Sequence, residues 1–169
     1  DYPEWSDRGD GPGAPVAVHL PNSPVIATGK RDGSKIRLPN GNYLEETASY
    51  YVMIETKSGG YTPALITMKS TQLNVSKKWN SMMKTIQIPD GKGGFAIPPM
   101  HGVVYNLAST LQKNDKGSWY GWVVTQDRIM GQNDKALYLD AKSFAGNVSK
   151  GSVQTKADVE ETSSDSTPY

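Results

Sequence analysis

The sequence predicts a mainly β domain with one α-helix between two β-hairpins and with acidic ends. Three observations lead to this prediction. Two pairs of segments rich in β-branched and aromatic residues are each joined by a turn sequence. One stretch between these pairs repeats its apolar residues at the spacing of an α-helix. Acidic residues collect at both ends of the chain, whereas the middle is basic.

The first residues of the chain are acidic and irregular. Residues 1–14 combine Pro, Gly and acidic residues without periodicity, which predicts a flexible acidic arm unless Tyr2 and Trp5 dock on the domain. The next two runs, residues 15–20 and 24–28, are short and apolar and begin with Pro. Both are predicted to be edge strands, because Pro is tolerated at the edge of a sheet.

Two hairpins are predicted in the next part of the chain. Residues 30–44 carry four cationic side chains, and Asn40-Gly41 is a typical tight turn, so this segment predicts a basic hairpin. The following hairpin has strands at residues 50–55 and 64–68. Gly59-Gly60 in its turn supplies the positive φ that a short connection needs.

The helical pattern covers residues 71–86, and Ser70 and Thr71 are suitable N-caps. Its apolar face consists of Val75, Trp79, Met82, Met83 and Ile86, and its polar face of Asn74, Lys77, Lys78, Ser81 and Lys84. Trp79 is therefore predicted to lie in the core.

The last predicted hairpin has strands at residues 103–107 and 119–125, followed by a short strand at residues 136–139. From residue 145 the chain is rich in Ser, Gly, Thr and charged residues, which predicts disorder. The expected organisation is therefore an arm at residues 1–14, one domain at residues 15–144 and a disordered acidic tail at residues 145–169.

The composition argues against several classes of function. The sequence contains no Cys and therefore no disulfide, thiolate nucleophile or Cys-ligated zinc. No apolar run approaches the roughly 20 residues of a membrane-spanning helix. His19 and His101 lie far apart, and neither a nucleophile elbow nor a Walker phosphate-binding loop occurs. We therefore expect no enzyme activity, no metal, no cofactor and no membrane partner.

Basic and aromatic side chains interleave along the hairpins and the helix, a combination that suits single-stranded nucleic acid. Cations contact phosphates, and aromatic rings stack on bases with about 1–3 kcal/mol per base. The candidate nucleic-acid-binding residues are Lys30, Arg31, Lys35, Arg37, Tyr43, Lys69, Lys77, Lys78, Lys84, Tyr105, Tyr120 and Trp122.

Two points about these candidates stay open in the sequence. Because side chains alternate along a strand, Tyr120 and Trp122 share one face and Trp119 lies on the other, and either face is a candidate for the core. The lysines on the polar face of the helix are either DNA contacts or an ordinary solvated surface.

The charge distribution adds a second feature. Residues 11–156 contain 17 of the 18 Lys and Arg but only nine of the 17 acids, which gives this part a net charge of about +8. The acids of the tail are Asp158, Glu160, Glu161 and Asp165, and the chain ends on Pro168-Tyr169. Such a tail either competes with a polyanion for the basic surface or merely keeps the domain soluble.

Two segments resemble phage-encoded single-stranded DNA-binding proteins built on an OB-fold. Residues 63–73, PALITMKSTQL, followed by residues 76–80, SKKWN, resemble a strand-then-helix segment of small phage replication proteins. The tail from Asp158 to Tyr169 is similar to the acidic, aromatic-ending tails of that family. It has fewer acids, however, and ends in Tyr where the family usually ends in Phe.

The resemblance implies a five-stranded OB-like barrel over residues 15–144, with the helix between the third and fourth strands. It implies a protein that binds single-stranded DNA without sequence preference during phage DNA replication or recombination, in the cytoplasm of the infected host cell. It also implies that the tail, through Asp158, Glu160, Glu161, Asp165 and Tyr169, contacts replication or recombination enzymes. Homo-oligomer formation is left open. The alternative is a phage virion or assembly protein that does not bind nucleic acid.

Overall fold

The computed structural model describes residues 1–6, 15–115 and 117–153, and these residues are mainly β. They divide into two compact units. The first takes in the described residues of Asp1–Tyr50, Ile66–Ser81 and Ala108–Val123, and the second takes in the rest.

Five short strands of the first unit form one antiparallel sheet. They are β1 (Tyr2–Trp5), β2 (Ala17–His19), β3 (Lys30–Asp32), β4 (Lys35–Arg37) and β5 (Tyr43–Glu45). Their order is β2-β1-β5-β4-β3, and each neighbouring pair is antiparallel. The segment predicted to be a basic hairpin forms three strands, β3, β4 and β5, instead of two. Gly41 lies in the predicted turn with φ of +89°.

The core of this sheet is small and apolar. Ile36, Leu38 and Leu44 are buried, and Tyr2, Val25 and Ile26 pack against them. Val25 and Ile26 belong to α1 (Pro24–Thr28). The prediction of an edge strand for this segment is therefore wrong. Pro at the first position of a helix loses no hydrogen bond and has the right φ, so the Pro that suggested an edge strand begins a helix instead.

A buried polar cluster holds β1 in the sheet. Glu4, only 7% exposed, accepts hydrogen bonds from Asn42 Nδ2 at 2.6 Å and Asn40 Nδ2 at 3.1 Å, and its second oxygen lies 2.7 Å from His19 Nε2. These hydrogen bonds lower the pKa of Glu4, the contact with Asn42 most of all. Residues 2–5 are therefore a strand and not part of a flexible arm, because Tyr2 docks and Glu4 is fully bonded. Residues 7–14 lie outside the described residues.

Two longer hairpins confirm the predicted ones. β6 (Thr47–Glu55) pairs with β7 (Tyr61–Lys69), and Gly59 in their turn has φ of +82°. β8 (Ile88–Pro89) and β9 (Phe95–Ala96) form a small ladder. β10 (Val103–Asn114) pairs with β11 (Gly117–Ile129), a much longer hairpin than residues 103–107 and 119–125 alone predicted.

The predicted helix is confirmed as a 3₁₀ turn, Ser70–Gln72, followed by α2 (Leu73–Thr85). Trp79 is 5% exposed, as its position on the apolar face predicted. Its ring lies 4.4 Å from that of Tyr50, centroid to centroid, and the Tyr50 hydroxyl lies 2.7 Å from Ser76 Oγ.

The prediction for the end of the domain is wrong. Instead of a short strand at 136–139 and disorder from residue 145, the chain forms α3 (Lys135–Ser149) after a 3₁₀ turn, Gln132–Asp134. Its inward positions, Leu137, Tyr138, Ala141, Phe144, Ala145 and Val148, follow helical spacing. Exposed charged residues between these positions make the stripe hard to recognise in the sequence. Residues 154–169 lie outside the described residues.

The expected closed barrel is not found among the described strands, which form one five-stranded sheet and three two-stranded sheets. All five strands of the largest sheet precede α2, so the helix does not lie between its third and fourth strands. The long hairpins pair within themselves, and β1 lies between β2 and β5 in the five-stranded sheet. None of the helices in the described segments is long and apolar enough to cross a membrane.

Replacing Glu4 by Gln should destabilise the fold in a pH-dependent way. The folded-state pKa of Glu4 is lowered, so its contribution is fully present above the ordinary pKa of Glu and is lost as pH falls through the lowered value. At pH 7 we expect the free energy of unfolding to fall by about 1.5–3 kcal/mol, as for a hydrogen-bonded charge. Urea unfolding of wild type and Glu4→Gln between pH 7 and pH 3 measures this.

Glu55→Gln, at an exposed position of β6, is the matched control and should change little. A difference between wild type and Glu4→Gln that stays constant down to pH 3 would contradict the role given to this carboxylate.

Candidate nucleic-acid interface

One face of β11 presents two aromatic rings to solvent. Tyr120 is 73% exposed and Trp122 is 37% exposed. Trp119 and Gly121 alternate with them and are half-buried and buried, respectively. The question that the sequence left open is therefore answered for this strand: the face of Tyr120 and Trp122 is the accessible one.

The backbone between these rings is bonded to the segment that begins the helix. The Trp122 N–H donates a hydrogen bond to Gln72 Oε1 at 3.0 Å. Gly121 leaves the necessary space, since a Cβ at that position would collide with Gln72 Nε2 and would lie 2.5 Å from Gln112 Nε2. Gln72 is not among the residues predicted to form the interface. An isolated Gly within a strand pattern was the available signal, because it often marks a close approach of another group.

The helix that follows Gln72 supplies cations within the same unit. Lys77 and Lys78 are exposed on α2, and neither forms an ion pair with a residue that the structure describes. Ser76 and Trp79, which are buried, lie on the other side of the helix. The division into an apolar face and a cationic face thus agrees with the predicted pattern.

The cations of the five-stranded sheet differ in whether an aromatic ring or a carboxylate lies beside them. Lys30 and Arg31 are exposed on β3, an edge strand. The Lys35 ammonium lies 3.6 Å from the centroid of the Tyr43 ring, a cation–π contact. Arg37 Nε lies 3.4 Å from Asp32 Oδ2. Tyr43 is half-buried under this cation, so one side of its ring is already occupied.

Lys69 at the end of β7 is also partly neutralised, since its Nζ lies 3.4 Å from Glu45 Oε2. The remaining two candidates, Lys84 and Tyr105, belong to the second unit. Lys84 is exposed in the last turn of α2. Tyr105 is half-buried, and burial raises the pKa of its hydroxyl. Ten of the twelve candidates therefore lie in the first unit, and the tail candidates lie outside the described residues.

A polar cavity of about 340 Å³ lies beside the turn of the β10–β11 hairpin. Its lining consists of Ser70, Thr71, Asn114, Gly117, Ser118 and Trp119. Ser70 has φ of +52°, a conformation that a residue other than Gly rarely adopts. Trp119 Nε1 is buried and has no hydrogen-bond partner among the described residues. The described residues that line the cavity offer hydroxyl and amide groups and include no acidic side chain.

The second unit contains a cavity of about 550 Å³, lined by Met130, Gly131, Gln132, Lys135 and Tyr138. The Tyr138 ring lies 5.3 Å from that of His101, whose pKa is lowered by burial and by nearby Lys142. Among the described residues no group of three or more His, Asp or Glu could hold a metal ion.

The comparisons with known proteins give one match. The model of the family described as Pam3 phage gp34-like protein matches residues 1–154, which is most of the chain. Neither the curated proteins nor the solved structures gave a match. The family name indicates a phage origin. The chain belongs to the Pam3 phage gp34-like protein family.

Proposed function

We propose that this phage protein binds single-stranded DNA without sequence preference and acts in phage DNA replication or recombination. The observation that carries the proposal is the pair of accessible rings, Tyr120 and Trp122, on one face of a strand that is hydrogen-bonded to the start of α2. Base stacking on aromatic rings tolerates any sequence, because every base has a π-face.

The cations of the first unit supply the second requirement. Lys77 and Lys78 are exposed on α2, and Lys30 and Arg31 are exposed on β3. Cations without a protein partner release the counterions of DNA when they contact phosphates, and this release favours binding. Arg37 and Lys69 must first leave Asp32 and Glu45, so we assign them a smaller contribution.

The proposal does not depend on a closed OB barrel. An open β-hairpin with exposed rings beside a cationic helix can contact bases and phosphates without one. The proposed site of action is the cytoplasm of the infected cell, where replicating phage DNA becomes single-stranded.

A virion or assembly protein is the second candidate, and one observation favours it. The β10–β11 hairpin is a two-stranded sheet with exposed apolar side chains, including Leu111 and Val123. Two-stranded hairpins are marginally stable alone, and exposed apolar groups often mark protein contacts. A structural subunit would assemble as concentration rises, and its Trp fluorescence would not respond to oligo(dT).

Truncating either exposed ring should weaken DNA binding. Tyr120→Ala and Trp122→Ala are each expected to cost about 1–3 kcal/mol, or roughly 5- to 150-fold in Kd for oligo(dT). Tyr120→Phe and Trp122→Phe should retain most of the affinity, because the ring stacks and the polar group does not. Fluorescence anisotropy of a labelled oligo(dT) measures these constants.

Tyr51→Ala removes an exposed ring from β6 in the second unit and is the matched control. Wild-type affinity in both Ala variants of β11 would remove the main support for the proposal.

The lysines of α2 should determine the salt dependence. Lys77→Ala and Lys78→Ala are each expected to lower the slope of log K against log salt concentration by about 0.7, the value for one phosphate contact with a single strand. Lys57→Ala, at the exposed β6–β7 turn of the second unit, is the control. Titrations between 50 and 300 mM salt, as a rough range, measure the slopes, and equal slopes in all variants would contradict the assignment of these lysines.

We also propose that the acidic tail competes with DNA and contacts replication or recombination enzymes. Deleting residues 157–169 should raise the affinity for oligo(dT) about threefold at low salt, and less at high salt because the competition is electrostatic. A chain in which Asp158, Glu160, Glu161 and Asp165 are replaced by Asn or Gln separates charge from length. If this chain binds like wild type while the deletion binds more tightly, the electrostatic explanation is wrong.

A further inference from the structure

We propose that Gln72 is a positioning residue that holds the segment of β11 with Tyr120 and Trp122 in place. We also propose that the absence of a side chain at Gly121 leaves the space that Gln72 occupies. The effect of Gln72 on DNA binding rests on the proposed function, whereas its contact with β11 does not. Neither Gln72 nor Gly121 is cationic or aromatic.

The Trp122 N–H donates to Gln72 Oε1 at 3.0 Å, so this amide is bonded to a side chain from outside the hairpin. An amide bonded in this way lies on the edge of β11 that faces away from β10. The side chain of Gln72 therefore takes the place that the backbone of a third strand would occupy at this point.

The Gln72 amide is oriented with its oxygen towards the Trp122 N–H and its nitrogen towards Gly121. While Oε1 accepts from Trp122, Nε2 lies directly over Gly121, where a Cβ would collide with it. Gln112, on β10, occupies the same space from another direction, with its Cδ 2.8 Å from the position of that Cβ. No positive φ is recorded for Gly121, so its conformational freedom is not the reason for a Gly here. The absence of a side chain at Gly121 leaves room for the amide ends of Gln72 and Gln112 where they lie, and a Cβ would require these ends to move.

The contact with Gln72 lies between the two exposed rings of β11. Tyr120 and Trp122 flank Gly121 and lie on the opposite face of the strand. A backbone that is held at Trp122 and covered at Gly121 holds both rings at a fixed spacing, with no direct contact between Gln72 and the DNA. Preorganised rings lose less conformational entropy when a base stacks on them.

Four variants test the positioning role in the free protein. Gln72→Leu keeps the approximate size of the side chain but removes the acceptor, Gln72→Glu keeps an acceptor, and Gly121→Ala fills the space. Gln126→Leu, which changes an exposed Gln further along β11, is the matched control. The chain is labelled with 5-fluorotryptophan, and the ¹⁹F resonance of Trp122 is assigned with Trp122→Phe among the four Trp signals.

We expect the Trp122 resonance to shift or broaden in Gln72→Leu and Gly121→Ala and to stay in place in Gln72→Glu and Gln126→Leu. The Trp5 resonance should be unchanged in all four, which shows that the five-stranded sheet is intact. A Trp122 resonance that does not move in Gln72→Leu overturns the inference, whether or not the protein binds DNA.

The second arm measures oligo(dT) binding. Gln72→Leu should weaken it about threefold to tenfold in the wild-type background and have no further effect in Trp122→Ala, because a positioning residue acts through the ring. An equal loss in both backgrounds overturns the positioning role. If wild type does not bind oligo(dT), the proposed function fails, and the ¹⁹F result alone decides the role of Gln72.

Discussion

A two-stranded hairpin has no further strand to restrain its outer edges, and the hydrogen bond between Trp122 and Gln72 supplies one such restraint here. Within the first unit, the same segment that carries Gln72 continues into α2, whose Trp79 packs on Tyr50. A buried aromatic contact therefore stabilises the helix that presents Lys77 and Lys78, and one amide contact joins that helix to the strand with the exposed rings. The candidate interface depends on this short chain of contacts.

The cations of the interface differ in how available they are. A lysine above a tyrosine ring or beside a carboxylate already has part of its charge compensated, as Lys35 and Lys69 do. Lys77 and Lys78 have no such compensation among the described residues. Net charge counts these groups equally, and only their surroundings distinguish them. The basic character of the middle of the chain therefore overstates the number of cations that are ready to contact a polyanion.

Local patterns predicted the elements whose determinants lie close together in the sequence. The turn at Gly59, the turn at Asn40-Gly41 and the apolar face of α2 are of this kind, since each depends on residues within a few positions. The OB-like barrel was a prediction about how distant strands pair. Nothing in a short window indicates that β1 enters the sheet between β2 and β5, because that pairing depends on where Asn40 and Asn42 meet Glu4.

The candidate site was predictable to a similar degree. The alternation of Tyr120, Gly121 and Trp122 indicated that the two rings share a face, but only burial distinguishes the solvent face from the core. The Gly at position 121 indicates that some group approaches the strand, but it does not indicate that this group is Gln72, because the contact spans 50 positions of the sequence. α3 is hard to predict for a different reason: Ala141 is its one buried residue among those described, and its last turn contains Gly146, Asn147 and Ser149, which are poor helix formers.

The two outer strands of the five-stranded sheet differ in a way that limits how the sheet can grow. β3 is Lys-Arg-Asp with all three residues exposed, and charged edge strands resist the addition of another chain. At the other edge, β2 is flanked by exposed Val16 and Leu20 and presents Val18 to solvent. Among the described strands, β2 thus forms the edge at which an added strand meets little repulsion. If a second copy adds its own β2 at this edge, both free edges of that kind are used in one pair, so growth into a fibre would need the charged edge as well.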